Sequence, residues 1–283
     1  MDISCTSQNA DRGHNSGYDR YCSCCNGRTF SLVACTDLLS VCKPDANFIN
    51  DLFDFLKGTD REDRLGPERA CAQGWISPQA MKTGIIITVA LACLIGCTLL
   101  FFAGWELIVV GVLCVLFAFL YTTGPYPLSY NGWGDVLVIV FFGFVPVGGT
   151  YYVQALTWTP DVTIASLICG LLIDTLLVVN NYRDREADAR SGKRTVIVRF
   201  GEKFGRYFYL MLGVTASLLC LCFLREGHFL AALLPQLYLI PHFLTWKRMV
   251  KIYSGKKLNS ILGETSRNML FMGVLIAIGM LVS

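Results

Sequence analysis

The sequence predicts an all-α membrane protein, a bundle of helices that crosses the bilayer several times. Of its 283 residues, 54% are hydrophobic and only 16% are charged, and the mean hydropathy is +0.50. Soluble domains carry about 25% charged residues, so this composition indicates the membrane class. The net charge of +3 is small, and we expect a lipid bilayer and no nucleic acid as its surroundings.

Seven apolar runs are long enough to form spanning helices, since a span needs about 20 mainly apolar residues. The third and fourth runs contain Pro146 and Asp174, which a buried helix bundle tolerates better than lipid does. Glu106 and Asp135, near the starts of two runs, are expected to be interfacial or capping groups. The runs lie near 84–103, 105–123, 134–153, 161–182, 207–224, 228–246 and 268–283.

The chain divides into an atypical N-terminal segment, 1–45, and a transmembrane domain, 46–283. Charges interrupt every stretch of about 20 residues in the N-terminal segment, the length that a spanning helix needs. Each central charge costs about 2.5–3.5 kcal/mol on insertion into a membrane. We therefore expect 1–45 to be poorly ordered or to hold degenerate first helices. The stretch 29–56 is interpreted as a weakened helix that leads into a strongly patterned end.

Basic residues are concentrated in three of the loops. Of the 24 Lys and Arg residues, 19 fall in the segments 57–82, 183–206 and 247–267. Because cytoplasmic loops carry an excess of Lys and Arg, these segments are predicted to face the cytoplasm. The loop 124–132 is predicted on the same side.

The first acidic cluster follows the weakened helix and comprises Asn47, Asn50, Asp51 and Asp54. A helix turns about 100° per residue, which places these four side chains within an arc of about 100°. Gly58 can end this helix and let Asp60 fold back toward the same site. The intervening apolar residues point largely elsewhere.

The second acidic cluster lies at the end of the fourth apolar run and comprises Asn181, Asp184 and Asp188. With Asp174, about two turns deeper, these side chains share an arc of about 80°. Asp174 suits a buried structural carboxylate and a substrate-cavity group equally well.

Carboxylate and carboxamide oxygens are the ligands that Mg²⁺ prefers, with substrate phosphates and water completing its shell. Two such clusters facing each other would bind a diphosphate through bridging metal ions. Nearby cations could hold the phosphate oxygens. These are Arg64 and Arg69 after the first cluster, and Lys193 and Arg194 after the second.

The two clusters resemble the Asp motifs of the UbiA-type prenyltransferase superfamily. The first resemblance rests on Asn50-Asp51-x-x-Asp54-x-x-x-x-x-Asp60 followed by Arg64-Leu65-Gly66-Pro67, and the second on Asn180-Asn181-x-x-Asp184-x-x-x-Asp188-x-x-x-Gly192-Lys193-x-Thr195. More narrowly, the chain looks like the branch that acts on 1,4-dihydroxy-2-naphthoate in menaquinone synthesis. That match uses the same Arg64-Leu65-Gly66-Pro67 together with Gly58-x-Asp60, Tyr121-x-x-Gly124-Pro125-Tyr126-Pro127-Leu128, Gly134-Asp135, Leu258-Asn259-x-x-Leu262 and Thr265-x-Arg267.

The resemblance covers about residues 46–283 and implies nine helices around a central cavity. It implies transfer of a polyprenyl group from a polyprenyl diphosphate to the naphthoate ring, assisted by Mg²⁺ or Mn²⁺, with loss of diphosphate and CO₂. The location it implies is the cell's inner (cytoplasmic) membrane. The implied catalytic residues are Asp51, Asp54, Asp184 and Asp188. The metal ligands would be Asn50, Asp54, Asp60, Asn181, Asp184 and Asp188, and the cavity would include Asn47, Tyr121, Tyr126 and Asp174.

Three alternatives remain open at this point. The aromatic acceptor could be 4-hydroxybenzoate, homogentisate or haem. A transporter or channel could use the acidic clusters to bind cations, although inverted repeats and broken midplane helices would then be expected. The third alternative is an inactive, truncated relative, because residues 1–45 do not match the family's first helices.

Overall fold

The computed structural model describes residues 38, 47–58, 65–101 and 103–282. The prediction for segment 1–45 therefore falls almost entirely outside the described residues. Eight helices of ten residues or more, and no strand, form within the described part. They are α1 (47–56), α2 (Pro78–Leu99), α3 (Glu106–Thr122), α4 (Gly134–Ala155), α5 (Pro160–Arg190), α6 (Val196–Glu226), α7 (Phe229–Ile252) and α8 (Lys256–Val282).

The predicted class is confirmed, because six of the described helices are long and apolar enough to cross a membrane. The seventh predicted span is α3, a shorter apolar helix of 17 residues. Three helices extend well beyond the apolar runs: α5 ends at Arg190, α6 begins at Val196 and α8 begins at Lys256. Backbone hydrogen bonding continues into charged turns at the water interface, where hydropathy alone no longer signals a helix.

Capping residues set where the long helices begin. The Thr159 side chain accepts a hydrogen bond from the Val162 backbone N–H at 3.3 Å, and Pro160 occupies the first turn of α5. Ser77 and Pro78 do the same for α2. A side-chain oxygen followed by Pro satisfies the N-terminal donors of a helix.

Two helices depart from straight geometry. Gly201 has φ +88° and ψ 172°, so α6 is kinked after its first turns. Residues Ile139–Gly148 of α4 form a wider, π-type segment that contains Pro146. Because Pro has no N–H to donate, the regular helical hydrogen bonding cannot continue through it.

The buried apolar side chains form two main groups. The larger group packs α5, α6, α7 and α8 together around Val178, Tyr182, Tyr209 and Met272. The smaller group joins α1, the turn at Cys71 and α2 through Ile49, Leu52, Met81 and Ile85. The central helix is α5. In its apolar 18-residue stretch 56% of the residues are buried, whereas only 17% are buried in the corresponding stretch of α2.

Polar contacts bring the basic loops to one end of the bundle. The Arg194 N–H donates to the carbonyl of Tyr130 at 2.8 Å, and the Asn259 side chain donates to the carbonyl of Leu65 at 2.9 Å. The Lys57 ammonium donates to the carbonyl of Thr122. The segments after α1, α3, α5 and α7 therefore meet at the end of the bundle that also carries both acidic clusters.

Candidate active site

The first acidic cluster is anchored to the end of α3. The Thr122 hydroxyl donates to the Asn50 side-chain oxygen. The Lys57 ammonium donates to the backbone carbonyl of Thr122. Partial burial lowers the pKa of Lys57, and the nearby Asp54 carboxylate acts in the opposite direction. These contacts fix the end of α1 across the chain from its sequence neighbours.

Asp51 and Asp54 lie on the same helix but have different partners. Asp51 is 7% exposed and accepts hydrogen bonds from the backbone N–H groups of Ala70 and Cys71, at 3.0 and 3.4 Å. Asp54 accepts from the Tyr130 hydroxyl at 3.1 Å and lies 3.8 Å from an Arg69 guanidinium nitrogen. Asp51 therefore holds the 69–74 turn, while Asp54 faces the opposite helix end.

The second acidic cluster ends in a tight turn that returns the chain toward it. Gly192 has φ +77°, and its N–H donates to the carbonyl of Ala189 while the N–H of Lys193 donates to the carbonyl of Asp188. This pair of bonds is the Schellman arrangement, for which a positive φ favours Gly. The turn places the Lys193 ammonium 3.8 Å from a carboxylate oxygen of Asp188.

Buried polar atoms distinguish this second cluster. Asn181 and Asp188 are 7% and 5% exposed. The second carboxylate oxygen of Asp188 is buried and has no hydrogen-bond partner. The two acidic clusters converge here, because the Lys193 ammonium beside Asp188 lies 5.6 Å from the ring centre of Tyr130, whose hydroxyl donates to Asp54. An unpartnered buried carboxylate oxygen is costly unless a ligand completes it.

Arg183 holds Asp184 in place. Its guanidinium donates to both carboxylate oxygens of Asp184, at 2.8 and 2.6 Å, and also donates to the Asn259 side chain at 2.7 Å. Because Asn259 donates in turn to the carbonyl of Leu65, this chain of hydrogen bonds ties the second cluster to the loop that follows the first.

Tyr130 stands between the two clusters. Its hydroxyl donates to Asp54, and the ammonium groups of Lys57 and Lys193 lie 4.4 and 5.6 Å from the centre of its ring. The loop that carries it folds back on α3, since the N–H of Leu128 donates to the carbonyl of Leu120 at 3.0 Å. One aromatic side chain thus contacts groups of both acidic helix ends.

Most of the predicted site residues are found at this end of the bundle. Asn50, Asp54, Arg69, Asn181, Asp184, Asp188 and Lys193 surround the convergence, and Tyr121 lines a small cleft beside it. Asn47 and Arg194 are exposed, and Tyr126 is 55% exposed. Asp60 and Arg64 lie outside the described residues, so the fold-back of Asp60 stays a prediction.

The sequence predicted no role in the site for four of its residues. Tyr130 and Arg183 carried no signal that separated them from other loop and helix-end residues. Asn259 and Asp135 belong to the motifs quoted above, but only the folded chain assigns them partners. Asp135, expected at the interface or in a cap, is buried in the first turn of α4 with one oxygen unpartnered.

The donor set suits a hard divalent cation. The convergent ligands are carboxylate and carboxamide oxygens, and an oxygen of Asp188 is buried without a partner. Within the described residues, no group of three or more His, Cys, Asp or Glu side chains is already close enough to hold a metal ion. Mg²⁺ usually takes one or two carboxylates with phosphate oxygens and water, so a diphosphate would complete the coordination.

Residues 28–278 match the UbiA prenyltransferase family. The chain is 41% identical over 182 residues to 1,4-dihydroxy-2-naphthoate octaprenyltransferase of Escherichia coli K12. The aligned region covers 62% of this chain and 59% of that protein. It is 34% identical over 247 residues to the protein of the same name from Haemophilus influenzae, covering 84% of this chain and 79% of that protein.

A solved structure described as digeranylgeranylglyceryl phosphate synthase in membranes has the same fold. Its TM-score is 0.58 at 19% identity, and the superposition covers 89% of this chain and 86% of the other. The family match extends over most of the chain, from before α1 into α8. This multi-pass membrane protein therefore belongs to the UbiA prenyltransferase family.

Proposed function

We propose that the protein transfers a polyprenyl group from polyprenyl diphosphate to 1,4-dihydroxy-2-naphthoate, with loss of diphosphate and CO₂. The observation that carries this proposal is the convergence of the two acidic clusters on Tyr130, with Arg69 and Lys193 beside them. Oxygen ligands next to cations are what a metal-bound diphosphate requires.

The roles divide between the two clusters. Asn50 and Asp54 on one side, and Asn181, Asp184 and Asp188 on the other, would hold Mg²⁺, or Mn²⁺ in its place. When bound, the divalent cation neutralises the departing diphosphate. Arg69, Lys193 and Arg194 would contact phosphate oxygens, with Arg64 as a further predicted contact. Asp51 would keep the Arg69 turn next to Asp54, because its carboxylate holds the backbone of that turn.

The apolar bundle supplies the environment that the chemistry needs. Departure of diphosphate leaves an allylic cation, which water would capture. A site bounded by apolar helices excludes water and lets the electron-rich ring react first. The prenyl tail itself is apolar and can remain among the membrane helices.

The names of the relatives support the naphthoate as acceptor, since the similar proteins from Escherichia coli and Haemophilus influenzae are named for 1,4-dihydroxy-2-naphthoate. The meeting of both acidic clusters at one end favours an enzyme over a transporter, whose ion sites lie near the membrane midplane. The family alone would accommodate the other aromatic acceptors.

The protein is further proposed to reside in the cytoplasmic membrane with its acidic clusters on the cytoplasmic side. The basic segments gather at that end of the bundle, as the excess of Lys and Arg in cytoplasmic loops requires. A single cysteine placed at Ser191, in a variant without native reactive cysteines, should be labelled only from the cytoplasmic side. Labelling from the outside would reverse the orientation.

The direct test supplies the purified protein with a polyprenyl diphosphate and, in turn, each candidate acceptor, and measures product mass. We expect the decarboxylated prenyl adduct of 1,4-dihydroxy-2-naphthoate, its disappearance in excess EDTA, and its return with Mg²⁺ or Mn²⁺. Asp188→Asn should lower product formation by about 1,000-fold, whereas Asp161→Asn, the same change at the far end of the same helix, should leave it unchanged. A product with another acceptor only, or full turnover in EDTA, would contradict the proposal.

A further inference from the structure

A small polar cleft opens beside the second acidic cluster. It is walled by the end of α3, the start of α4, the end of α5 and the turn that follows α5. Asn181 and Lys193 connect it to the proposed diphosphate site. Its polar side chains are Tyr121, Ser129, Asp135, Asn181, Lys193 and Thr195.

Asp135 is the unsatisfied group in this cleft. It is 6% exposed, and one of its carboxylate oxygens is buried without any hydrogen-bond partner. The Tyr121 hydroxyl lies on the adjoining wall. It approaches Gly134 closely, since a Cβ atom added at position 134 would be 3.4 Å from the hydroxyl oxygen. A buried acceptor in a polar cleft calls for a donor.

Asp174 lies behind this wall and strengthens the requirement. It is fully buried, and neither of its carboxylate oxygens has a hydrogen-bond partner. Leu177, one turn further along α5, lies against the residue next to Asp135, since a Cβ atom at Gly134 would be 3.5 Å from its side chain. On α5 Asp174 lies on the same face as Leu177 and Asn181, which line the cleft, because positions three and seven residues apart share a helix face.

We propose that Asp135, supported by Asp174 and with Tyr121 on the adjoining wall, is the subsite that receives a free ring hydroxyl of the aromatic acceptor. The inference rests on the proposed function and identifies the part of the site that selects the acceptor. A hydroxyl donates its hydrogen to the unpartnered Asp135 oxygen. Such a site rejects analogues that lack the hydroxyl, since the buried acceptor would then stay unpaired.

The naphthoate of the proposed function fits this requirement through one particular hydroxyl. Its 1-hydroxyl lies next to the ring carboxylate and can donate to it within the molecule. Its 4-hydroxyl has no such internal partner and is free to donate to Asp135. The comparison of 1,4-dihydroxy-2-naphthoate with 1-hydroxy-2-naphthoate therefore isolates the proposed contact, because the second compound lacks only the 4-hydroxyl.

The experiment measures equilibrium binding of these two compounds to the full-length protein in nanodiscs, with Mg²⁺ and a non-hydrolysable polyprenyl diphosphate analogue present. The wild-type protein should prefer the dihydroxy compound by roughly 10- to 100-fold, the range of a hydrogen bond to a charged group. In Asp135→Asn this preference should fall to within about threefold, because an amide replaces the charged acceptor with nearly unchanged shape.

Two further variants separate the subsite from a general loss of structure. Asp174→Asn should reduce the preference while binding of 1-hydroxy-2-naphthoate and of the diphosphate analogue stays unchanged. Asp161→Asn, the matched change at the other end of α5, should leave all three affinities as in wild type. Tyr121→Phe tests the adjoining hydroxyl and should lower affinity for the dihydroxy compound more than for its analogue.

Each outcome decides the proposal. An undiminished preference in Asp135→Asn would overturn it, and so would loss of diphosphate-analogue binding in that variant, which would assign Asp135 to the metal site. Equal binding of the two naphthoates by wild type would overturn the subsite and leave the proposed function standing. If the protein binds the diphosphate analogue but binds neither naphthoate, then the acceptor of the proposed function is wrong, and so is the subsite.

Discussion

The first acidic cluster, on α1, and the second, at the end of α5, carry the same kinds of side chain in different settings. The short α1 packs mainly against α2, α3 and its own following turn. The 31-residue α5 runs through the most buried part of the bundle. One cluster is held by loop contacts, and the other is built into the core.

The carboxylates reflect this contrast. Asp51 is satisfied by two backbone N–H groups, whereas Asp188 keeps a buried oxygen without a partner. Polar groups that are fully paired stabilise a fold, and those left unpaired in a buried site are available to a ligand. The second cluster therefore offers a buried, unpaired carboxylate oxygen to a ligand, whereas Asp51 of the first cluster does not. In the first cluster only Asp54 faces the other acidic helix end.

The largest effect is expected from one carboxylate of each acidic cluster, Asp54 and Asp188. Asp54→Asn and Asp188→Asn should each lower kcat/KM by about 1,000-fold, because loss of a metal ligand removes several kcal/mol of charge stabilisation. Thermal unfolding in detergent should change little, since neither side chain lies in the apolar core. Prenyl-transfer rates measured with saturating metal would test this, and a variant within fivefold of wild type would remove that residue from the site.

A smaller loss is expected when Asp184 keeps its carboxylate but loses its support. Asn259→Ala removes the acceptor for Arg183 and the donor to Leu65. Removal of a residue that orients a metal ligand typically costs 10- to 100-fold, and we expect a similar loss of metal affinity, measured by Mg²⁺ titration of activity. Ser260→Ala, at the exposed neighbouring position, is the control. Equal titration curves for both variants would contradict the positioning role.

Asp51 should affect stability more than rate. Asp51→Asn weakens the hydrogen bonds to Ala70 and Cys71, and we expect a loss of about 1–2 kcal/mol in unfolding free energy. The maximal rate at low temperature should stay within about threefold of the wild-type rate. A threefold change corresponds to well under about 1.4 kcal/mol, the energy of a tenfold change. If the rate falls as far as in Asp54→Asn while the unfolding temperature is unchanged, then Asp51 acts on substrate and does not differ from Asp188 in the way its hydrogen bonds indicate.

The smallest effect is expected at Tyr130. Tyr130→Phe removes one hydrogen bond to Asp54 but keeps the ring between Lys57 and Lys193. Arg69 still pairs with Asp54 in this variant, so we expect a loss of only about 0.5–1.5 kcal/mol, and KM for the prenyl diphosphate should rise about two- to tenfold. Tyr130→Ala should have the larger effect. Equal KM values in the two variants would show that the ring makes no contribution.

The amino-acid sequence by itself determined the membrane class, the spans and the two acidic helix faces. These features are local: a spanning helix follows from about 20 consecutive apolar residues, and a polar face follows from spacing along one helix. For the same reason the carboxylate and carboxamide residues Asn50, Asp54, Asn181, Asp184 and Asp188 could be predicted as a set before any contact between helices was known.

Only the tertiary structure decided how these groups are used. The Tyr130–Asp54 and Arg183–Asn259 hydrogen bonds each join residues 76 positions apart. The position of Asp135 beside α5 depends on how α4 packs against α5, where Gly143 and Gly170 let the two backbones come together. Periodicity describes one helix at a time, whereas the partner that satisfies or abandons a buried polar atom comes from another helix, and packing in the folded bundle alone selects it.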